Sequence, residues 1–205
     1  MPDGYEGLRK FWDELNLPEN PEVLVPLCGK AIDMIWLEKQ GASITGVEIS
    51  KKAVQEFMDE NQRDYETDSF ADFTIYHSGS ISIWCGDFLK LPKHKLPDYD
   101  LIYDKAALVA LPQRMRSKYC KKLVSLSSAK TKILLHHFIY DQNEMPGPPF
   151  SVSLDEIESG LKNNFEISIL EKNELNLSSF EKFQRRGLKS GLTEQLLFLT
   201  PDSEK

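Results

Sequence analysis

One stretch near the start of the chain, residues 22–50, most constrains the fold. It opens with a short apolar run, VLV at residues 23–25, which ends at Pro26 and is typical of a strand buried on both faces. A tight turn, a helix-like segment (Lys30–Gln40) and a second apolar run (Ser43–Ile49) follow. This order of strand, turn, helix and strand predicts the opening of an α/β site of the nucleotide-binding type.

Three residues of this stretch carry the chemistry that such a site needs. The turn at Leu27 and Gly29 lets backbone N–H groups face a ligand, and glycine lets the chain approach it closely. Glu48 follows Leu27 by 21 positions, which suits a carboxylate that binds ribose hydroxyls. Because the G-x-G-x-x-G pattern is absent, a nucleoside without phosphates is favoured over a pyrophosphate. The alternative is that Glu48 is a solvated strand end and Gly29 an ordinary turn glycine.

The same residues carry a family resemblance. The segment VPLCGKAIDMIWLEKQGASITGVEIS resembles the cofactor-binding segment of the thiopurine S-methyltransferase family, which belongs to the class I methyltransferases that use S-adenosylmethionine. The resemblance covers roughly residues 8–200. Further matching segments follow in family order: WCGDFL at 84–89, DLIYDKAALVALP at 100–112, YDQNEMPGPPFSV at 140–152 and KFQRRGL at 182–188.

The resemblance implies a fold. We expect a single-domain, Rossmann-like α/β class I methyltransferase with a mostly parallel seven-stranded sheet, an antiparallel edge strand and helices on both faces. Residues 1–20 should form an N-terminal helix and stub, and residues 21–205 the methyltransferase domain. Relatives carry an upstream segment with spaced tryptophans and Gly-Phe-His that covers the cofactor. The sequence is expected to begin after that segment, as a shortened form or with a different closure of its site.

Asp87 and Phe88 are the next candidates for cofactor binding. They follow two short alternating runs, residues 73–77 and 81–85, whose Ser-Gly-Ser connection predicts a hairpin. The end of such a strand lies beside the ligand in a doubly wound sheet. Asp87 could accept a hydrogen bond from adenine N6 while Phe88 packs on the ring. The alternative is that Asp87 caps a turn.

Asp104 and Lys105 follow the predicted fourth strand, Tyr99–Tyr103. The family normally has arginine at the position of Lys105, where it is assigned to the cofactor site and helps to orient the substrate. Lysine keeps the charge but loses the planar fork. We predict that Asp104 and Lys105 act in catalysis, by orienting the substrate or stabilising its anionic form. A plain surface lysine is the alternative.

The substrate side is predicted at the loop Asp141–Phe150, whose three prolines within residues 146–150 restrict its path. A rigid loop is a suitable wall for an apolar aromatic substrate, with Pro149 and Phe150 lining it, although Phe150 could simply anchor the loop. The resemblance places an arginine near the substrate pocket, and Arg186 is the candidate. A solvated basic loop is the alternative for Arg186.

The remaining pattern completes an alternating α/β order. His136 and His137 point to opposite faces of their predicted strand and are interpreted as structural residues rather than catalysts. The segment of residues 63–72 is polar and is predicted to be a loop. Helices are predicted near residues 5–17, 51–62, 112–127 and 153–162, with strands at 131–140, 165–171 and 195–200, the last two as an antiparallel edge pair.

Composition excludes several classes of protein. The net charge of −7 argues against a nucleic-acid binder, and no apolar stretch reaches the roughly 18 residues of a membrane span. Neither a secretory signal nor metal-ligand spacing is visible. Three scattered cysteines favour reduced thiols, and hence a cytoplasmic protein. A small-molecule substrate, no metal and a monomeric state are expected.

Taken with the resemblance, these observations predict a methyltransferase that uses S-adenosylmethionine. Its substrate would be a thiopurine-like aromatic thiol, or a similar soft nucleophile, methylated by direct in-line transfer. Relatives that methylate halides, thiocyanate, or selenium and tellurium species remain alternatives. Another is a module that binds cofactor with little turnover. An NAD(P) oxidoreductase is disfavoured because the first turn has one glycine.

Overall fold

A computed structural model describes residues 4–176, 178 and 180–202 of the chain. The chain divides into two compact units, of which the first ends at Tyr103 and the second begins at Asp104. This boundary falls inside a single strand, β6 (Leu101–Lys105). The predicted division at residue 20 is not tested by this arrangement and stays a prediction.

The first unit is built on a mixed set of strands in the spatial order β3-β4-β5-β2-β1-β6. Strands β5, β2, β1 and β6 run parallel, whereas β3 and β4 are antiparallel additions. The carboxyl ends of β1, β2 and β5 therefore meet at one edge. The bounds are β1 Glu22–Pro26, β2 Ser43–Glu48, β3 Glu66–Phe70, β4 Phe73–Ser78 and β5 Ile81–Cys85.

The opening strand behaves as its sequence predicts. Val23, Leu24 and Val25 are almost completely buried, as expected for a strand covered on both faces. The helices of this unit are α1 (Glu6–Phe11), α2 (Asp33–Lys39) and α3 (Lys51–Glu60), with short 3-10 turns at Asp13–Leu15, Phe88–Lys90 and Lys93–Lys95. The Ser50 hydroxyl accepts a hydrogen bond from the Ala53 N–H at 3.2 Å, which confirms the predicted cap of α3.

The second unit contains three further strands in the order β7-β9-β8, with both pairs antiparallel. The predicted antiparallel pairing of the last two strands is thus confirmed, although both are longer than predicted. Ser153 caps α5 by accepting from the Glu156 N–H at 3.2 Å, also as predicted. The bounds are β7 Lys132–Ile139, β8 Phe165–Leu175, β9 Leu192–Pro201, α4 Gln113–Leu126, α5 Leu154–Leu161 and α6 Glu181–Gln184, with a 3-10 turn at Leu108–Ala110.

The predicted strand count was wrong. The described part of the chain has nine strands rather than seven. Four of the pairings given above are antiparallel, whereas a single antiparallel edge strand would make only one. One reason is β3, which lies in the segment predicted to be a loop. Its residues are polar and mostly exposed, so no alternation of apolar residues marks it. An edge strand needs a partner on one side only, and β4 provides that partner.

Candidate active site

The turn after β1 has an unusual backbone. Leu27 has a φ of 48° and Gly29 a φ of 52°, a left-handed conformation that costs a non-glycine residue roughly 1–2 kcal/mol. The Cys28 N–H donates to the Val47 carbonyl at 2.9 Å, which ties the turn to β2. A Cβ at Gly29 would meet nothing within 4 Å, so conformation rather than crowding requires glycine. Backbone strain of this kind clusters at functional sites.

Glu48 is held against this turn. One of its carboxylate oxygens accepts from the Gly29 N–H at 2.9 Å and the other from the Ser50 N–H at 2.7 Å. The predicted proximity of Gly29 and Glu48 is therefore confirmed. Each oxygen keeps a second lone pair, and the side chain is half-buried, so the carboxylate can still accept hydrogen bonds from sugar hydroxyls. Ribose binding itself stays a prediction.

Asp87 lies beyond the end of β5, at the same edge. Its Oδ1 accepts from the Leu89 N–H at 2.9 Å and caps the following 3-10 turn. Its Oδ2 has no hydrogen-bond partner among the described residues, so capping leaves one oxygen available to a ligand amine. The neighbouring Gly86 N–H donates to the Glu48 carbonyl at 2.9 Å. Phe88 is 5% exposed, which leaves little of its ring accessible, and its contact with a ligand stays a prediction.

Ile49 is an apolar residue that the sequence pattern did not single out here. It follows Glu48 directly, yet 75% of its surface is exposed. A large apolar side chain so exposed, beside a carboxylate suited to ribose, offers a surface for a base. In the sequence, Ile49 lies between the end of β2 and the cap residue Ser50. The apolar pattern alone assigned it to the strand.

Asp104 is completely buried in the second unit, and both of its oxygens are used. Oδ1 accepts from the N–H groups of Ala107 and Leu108, at 2.8 and 3.1 Å, and Oδ2 accepts from the Tyr119 hydroxyl at 2.7 Å. Burial raises the pKa of Asp104 to about 6, although these three hydrogen bonds act in the opposite direction. Asp104 and Lys105 lie inside β6 rather than after it, because the strand begins and ends about two residues later than predicted.

This geometry suits Asp104 to holding the backbone rather than to contacting substrate. Its hydrogen bonds close the turn from Lys105 to Leu108, where Ala106 has a φ of 67°. The turn therefore keeps a conformation that alanine alone would avoid. Direct catalysis by Asp104, as predicted, would need an accessible oxygen, and the fully buried carboxylate does not expose one.

Lys105 is half-buried and lies near Glu194 of β9. Burial raises the pKa of the Glu194 carboxyl, but hydrogen bonding to His136 and the positive charges of His136 and Lys105 outweigh it, so the pKa lies below its ordinary value. The Nε2 atom of His136 is 2.5 Å from the Glu194 carboxylate. His137 is also buried and bonds to the Val152 carbonyl at 2.9 Å, so both histidines fit the structural interpretation.

The proline-rich loop is fixed through its carbonyl groups. Prolines have no N–H to donate, so the loop depends on donors from elsewhere. Arg186 donates to the Pro148 carbonyl at 2.7 Å and also to the Pro146 carbonyl. The Tyr140 hydroxyl donates to the Pro149 carbonyl at 2.7 Å. The Arg186 guanidinium thus binds the backbone of the loop, and its predicted contact with the substrate pocket stays a prediction.

Phe150 anchors this loop. Its N–H donates to the Val109 carbonyl at 2.6 Å, and its ring packs so closely on Gly147 that a Cβ there would overlap it. The Arg116 guanidinium lies 5.6 Å from the centre of the ring, within the range of a cation–π contact. The packing of Phe150 therefore agrees with the alternative that it anchors the loop. A substrate contact by Phe150 or Pro149 stays a prediction.

Several supporting residues were not singled out in the sequence. Tyr119 holds Asp104, and Tyr140 and Gln142 hold the loop, since the Gln142 amide donates to the Met145 carbonyl at 2.7 Å. Tyr140 and Gln142 lie in the family-matching segment 140–152, whereas Tyr119 is a buried residue of α4 without such a signal. Within the described ranges, no group of three or more His, Cys, Asp or Glu residues could hold a metal ion. No helix there is long and apolar enough to cross a membrane.

Comparison with known proteins decides the family. The model of the thiopurine S-methyltransferase family matches residues 3–200. This chain belongs to the thiopurine S-methyltransferase family. It is 42% identical over 181 residues to the thiopurine S-methyltransferase of Bordetella petrii, and 38% identical over 181 residues to that of Pseudomonas fluorescens. In both cases the match covers 88% of this chain and 82% of the relative.

Solved structures support the fold independently. A SAM-dependent methyltransferase from Methanosarcina mazei superposes with a TM-score of 0.66 at 16% identity, covering 97% of this chain and 98% of that one. At such low identity the likeness concerns the fold alone. It confirms the predicted Rossmann-like α/β class, within which the strand count is corrected as described above.

Proposed function

We propose that this member of the thiopurine S-methyltransferase family transfers a methyl group from S-adenosylmethionine to the sulfur of a small thiol. Aromatic heterocyclic thiols of the thiopurine type are the preferred class. The observation that carries this proposal is the family match over residues 3–200, together with identities near 40% to enzymes named for that reaction. We further propose that it acts as a monomer in the cytoplasm.

The first unit fits the nucleoside part of the cofactor. Glu48 keeps lone pairs for ribose hydroxyls, Asp87 keeps an oxygen for an exocyclic amine, and Ile49 exposes an apolar surface. The strained turn at Leu27 and Gly29 is paired with Glu48 through the Gly29 N–H. S-adenosylmethionine supplies a methyl group made electrophilic by a positively charged sulfur.

The second unit fits the substrate. The thiol sulfur would form the new bond to the methyl carbon while the bond from that carbon to the sulfonium sulfur breaks, and S-adenosylhomocysteine would leave. The thiol proton would pass to solvent, and a thiolate is already nucleophilic near neutral pH, so no strong base is needed. Lys105 stabilises the thiolate form, and Arg186 fixes the loop that carries Pro149. Asp104 keeps the backbone turn after Lys105 in place through its three hydrogen bonds. Holding the reacting groups in place is the main contribution we assign to these residues.

Two measurements test the proposal. Isothermal titration with S-adenosylhomocysteine should show binding of one molecule per chain, and a methyl-transfer assay with aromatic thiols should show turnover. Turnover only with iodide, thiocyanate, selenite or tellurite would reassign the substrate. Binding without turnover, even in Lys105→Arg, would leave a cofactor-binding module. Absence of binding would reject the cofactor.

A further inference from the structure

A polar cleft in the second unit shares the proline-rich loop with the predicted substrate wall, but its residues on α4 and α5 have no part in the function proposed above. It has a volume of about 540 Å³ and is walled by α4, α5 and the proline-rich loop. A smaller cavity of about 250 Å³ shares three of its lining residues, namely Gln113, Arg116 and Glu156. The volume of the larger cleft is within the range of binding sites for small molecules.

Arg116 lines the cleft and keeps one donor open. It is 5% exposed. Its Nε donates to the Leu111 carbonyl at 2.9 Å, and its Nη1 donates to Glu156 Oε2 at 2.8 Å and to the Ser151 carbonyl at 3.3 Å. Nη2 has no hydrogen-bond partner in the described part of the chain. Nη2 is not among the buried side-chain atoms without a partner in the described residues, so it is accessible to a ligand in the cleft.

Glu156 presents the complementary atom. Its Oε2 binds Arg116, whereas its Oε1 has no partner within the ranges that the structure describes, and its side chain is 29% exposed. By covalent geometry, the open Nη2 and the open Oε1 flank the same Nη1–Oε2 hydrogen bond. The pair therefore offers one donor and one acceptor to a ligand.

The charges limit what this edge can recognise. An anion that approached Arg116 would also meet the Glu156 carboxylate, and a cation would meet the guanidinium, so a net charge of either sign is disfavoured. A neutral group with a C=O for Nη2 and an N–H for Oε1 satisfies both. The Phe150 ring, Pro146 and Gly147 complete the wall, which suits a flat apolar body.

We propose that this cleft is a binding site for a small, uncharged heteroaromatic ring whose edge carries an N–H next to a C=O. The site does not depend on methyl transfer, and nothing in the proposed reaction uses Arg116 or Glu156. The proposal is therefore tested by measuring ligand binding rather than methyl-transfer activity.

The probe is 2-pyridone, which has this edge, with N-methyl-2-pyridone as the matched compound that lacks the N–H. Both are titrated into the full chain saturated with S-adenosylhomocysteine and followed by ¹H–¹⁵N NMR. We expect 2-pyridone to shift the amides of Gln113, Ser153 and Glu156. We expect N-methyl-2-pyridone to bind at least about tenfold more weakly, because it cannot donate a hydrogen bond to the charged Glu156 carboxylate. Equal binding of the two compounds, or shifts confined to other residues, would overturn the proposal.

Substitution of Glu156 gives a change in specificity. In Glu156→Gln the amide can still accept from Arg116, but its charge is gone and an N–H₂ replaces an acceptor. Binding of 2-pyridone should fall about tenfold or more, and benzoate, an anion, should now bind. Asp155→Asn is the control, since it removes the same charge from an exposed neighbour on the same turn of α5. An equal effect of both substitutions contradicts the proposal.

A second variant guards against misfolding of Glu156→Gln. Gln113 is exposed in the first turn of α4 and lines the cleft, so Gln113→Trp should fill it without disturbing the core. We expect the shifts caused by 2-pyridone to disappear in Gln113→Trp. Unchanged 2-pyridone binding there would exclude this cleft as the site.

Discussion

A single carboxylate links the first two strands of the parallel set. Glu48 accepts from the Gly29 N–H and the Ser50 N–H, so it fixes the strained turn, and ribose binding is its second, predicted role. Its two roles can be separated by experiment, because an amide keeps one acceptor and loses the charge.

We expect Glu48→Gln to bind S-adenosylhomocysteine at least about tenfold more weakly, since hydrogen bonds to a charged acceptor contribute about 1.5–3 kcal/mol. Isothermal titration gives the affinity. Glu66→Gln is the control, because Glu66 is an exposed residue of β3. If Glu48→Gln kept the affinity of the original chain, the ribose assignment of Glu48 would fail.

Ala106 shows how much conformational strain one residue carries. Its φ of 67° lies in the left-handed region, which glycine occupies at little cost. Ala106→Gly should raise the free energy of unfolding by up to about 1 kcal/mol, allowing for the greater freedom of glycine in the unfolded chain. Urea denaturation measures it. Ala107→Gly, at a φ of −74°, should instead lose stability, and a loss in both variants would mean that Ala106 is not strained.

Elements whose own residues carry an apolar pattern or turn chemistry were predictable from the sequence. Elements that depend on pairing with another strand were not. The strand at residues 23–25, the hairpin of β4 and β5, and the caps Ser50 and Ser153 all follow from apolar pattern and turn chemistry. Strand β3 has no apolar alternation and is ordered by pairing with β4. Its existence depends on a neighbour, which a local pattern does not report.

The candidate site divides in the same way. Gly29 and Glu48 were placed together because strand order alone brings them to one edge. The burial of Asp104 was not visible, since its partner Tyr119 lies 15 positions away on α4. Equally, the family resemblance predicted Arg186 near the substrate pocket. Its observed contacts are with proline carbonyls, and backbone acceptors leave no mark in a sequence.

Arg186 joins its own segment to the proline-rich loop through hydrogen bonds to two proline carbonyls, and we call this contact the clamp. Lysine has a point charge in place of the planar fork, so Arg186→Lys should hold one carbonyl where arginine holds two. We expect the KM for an aromatic thiol to rise severalfold while the affinity for S-adenosylhomocysteine stays within about twofold, because the clamp contributes about 1 kcal/mol. Steady-state kinetics and calorimetry separate the two effects.

Arg185→Lys is the matched control, because Arg185 pairs with Glu181 on the surface at 2.7 Å and is expected to change neither quantity. A KM that is unchanged in Arg186→Lys would show that the clamp does not position the substrate wall. A parallel rise of the KM in Arg185→Lys would instead show that the effect is not specific to the contact between Arg186 and the loop.

At the scale of the whole molecule, a buried ionisable group makes global stability depend on pH. Asp104 is fully buried and its pKa is raised to about 6. The folded state therefore binds this proton more tightly than the unfolded state does. The resulting stabilisation is complete below about pH 4, near the ordinary pKa of an aspartate, and it is lost as the pH rises from there through about 6.

Comparing the chain with Asp104→Asn isolates this contribution. The substituted amide cannot ionise, so the difference in unfolding free energy between the two proteins should shift by about 1 kcal/mol in favour of aspartate when the pH falls from about 7 to about 5. Urea denaturation at several pH values measures it. Parallel pH curves would show that Asp104 does not titrate in this range. Tyr119→Phe removes the hydroxyl that lowers the pKa of Asp104, so its curve should bend at a higher pH than that of the original chain.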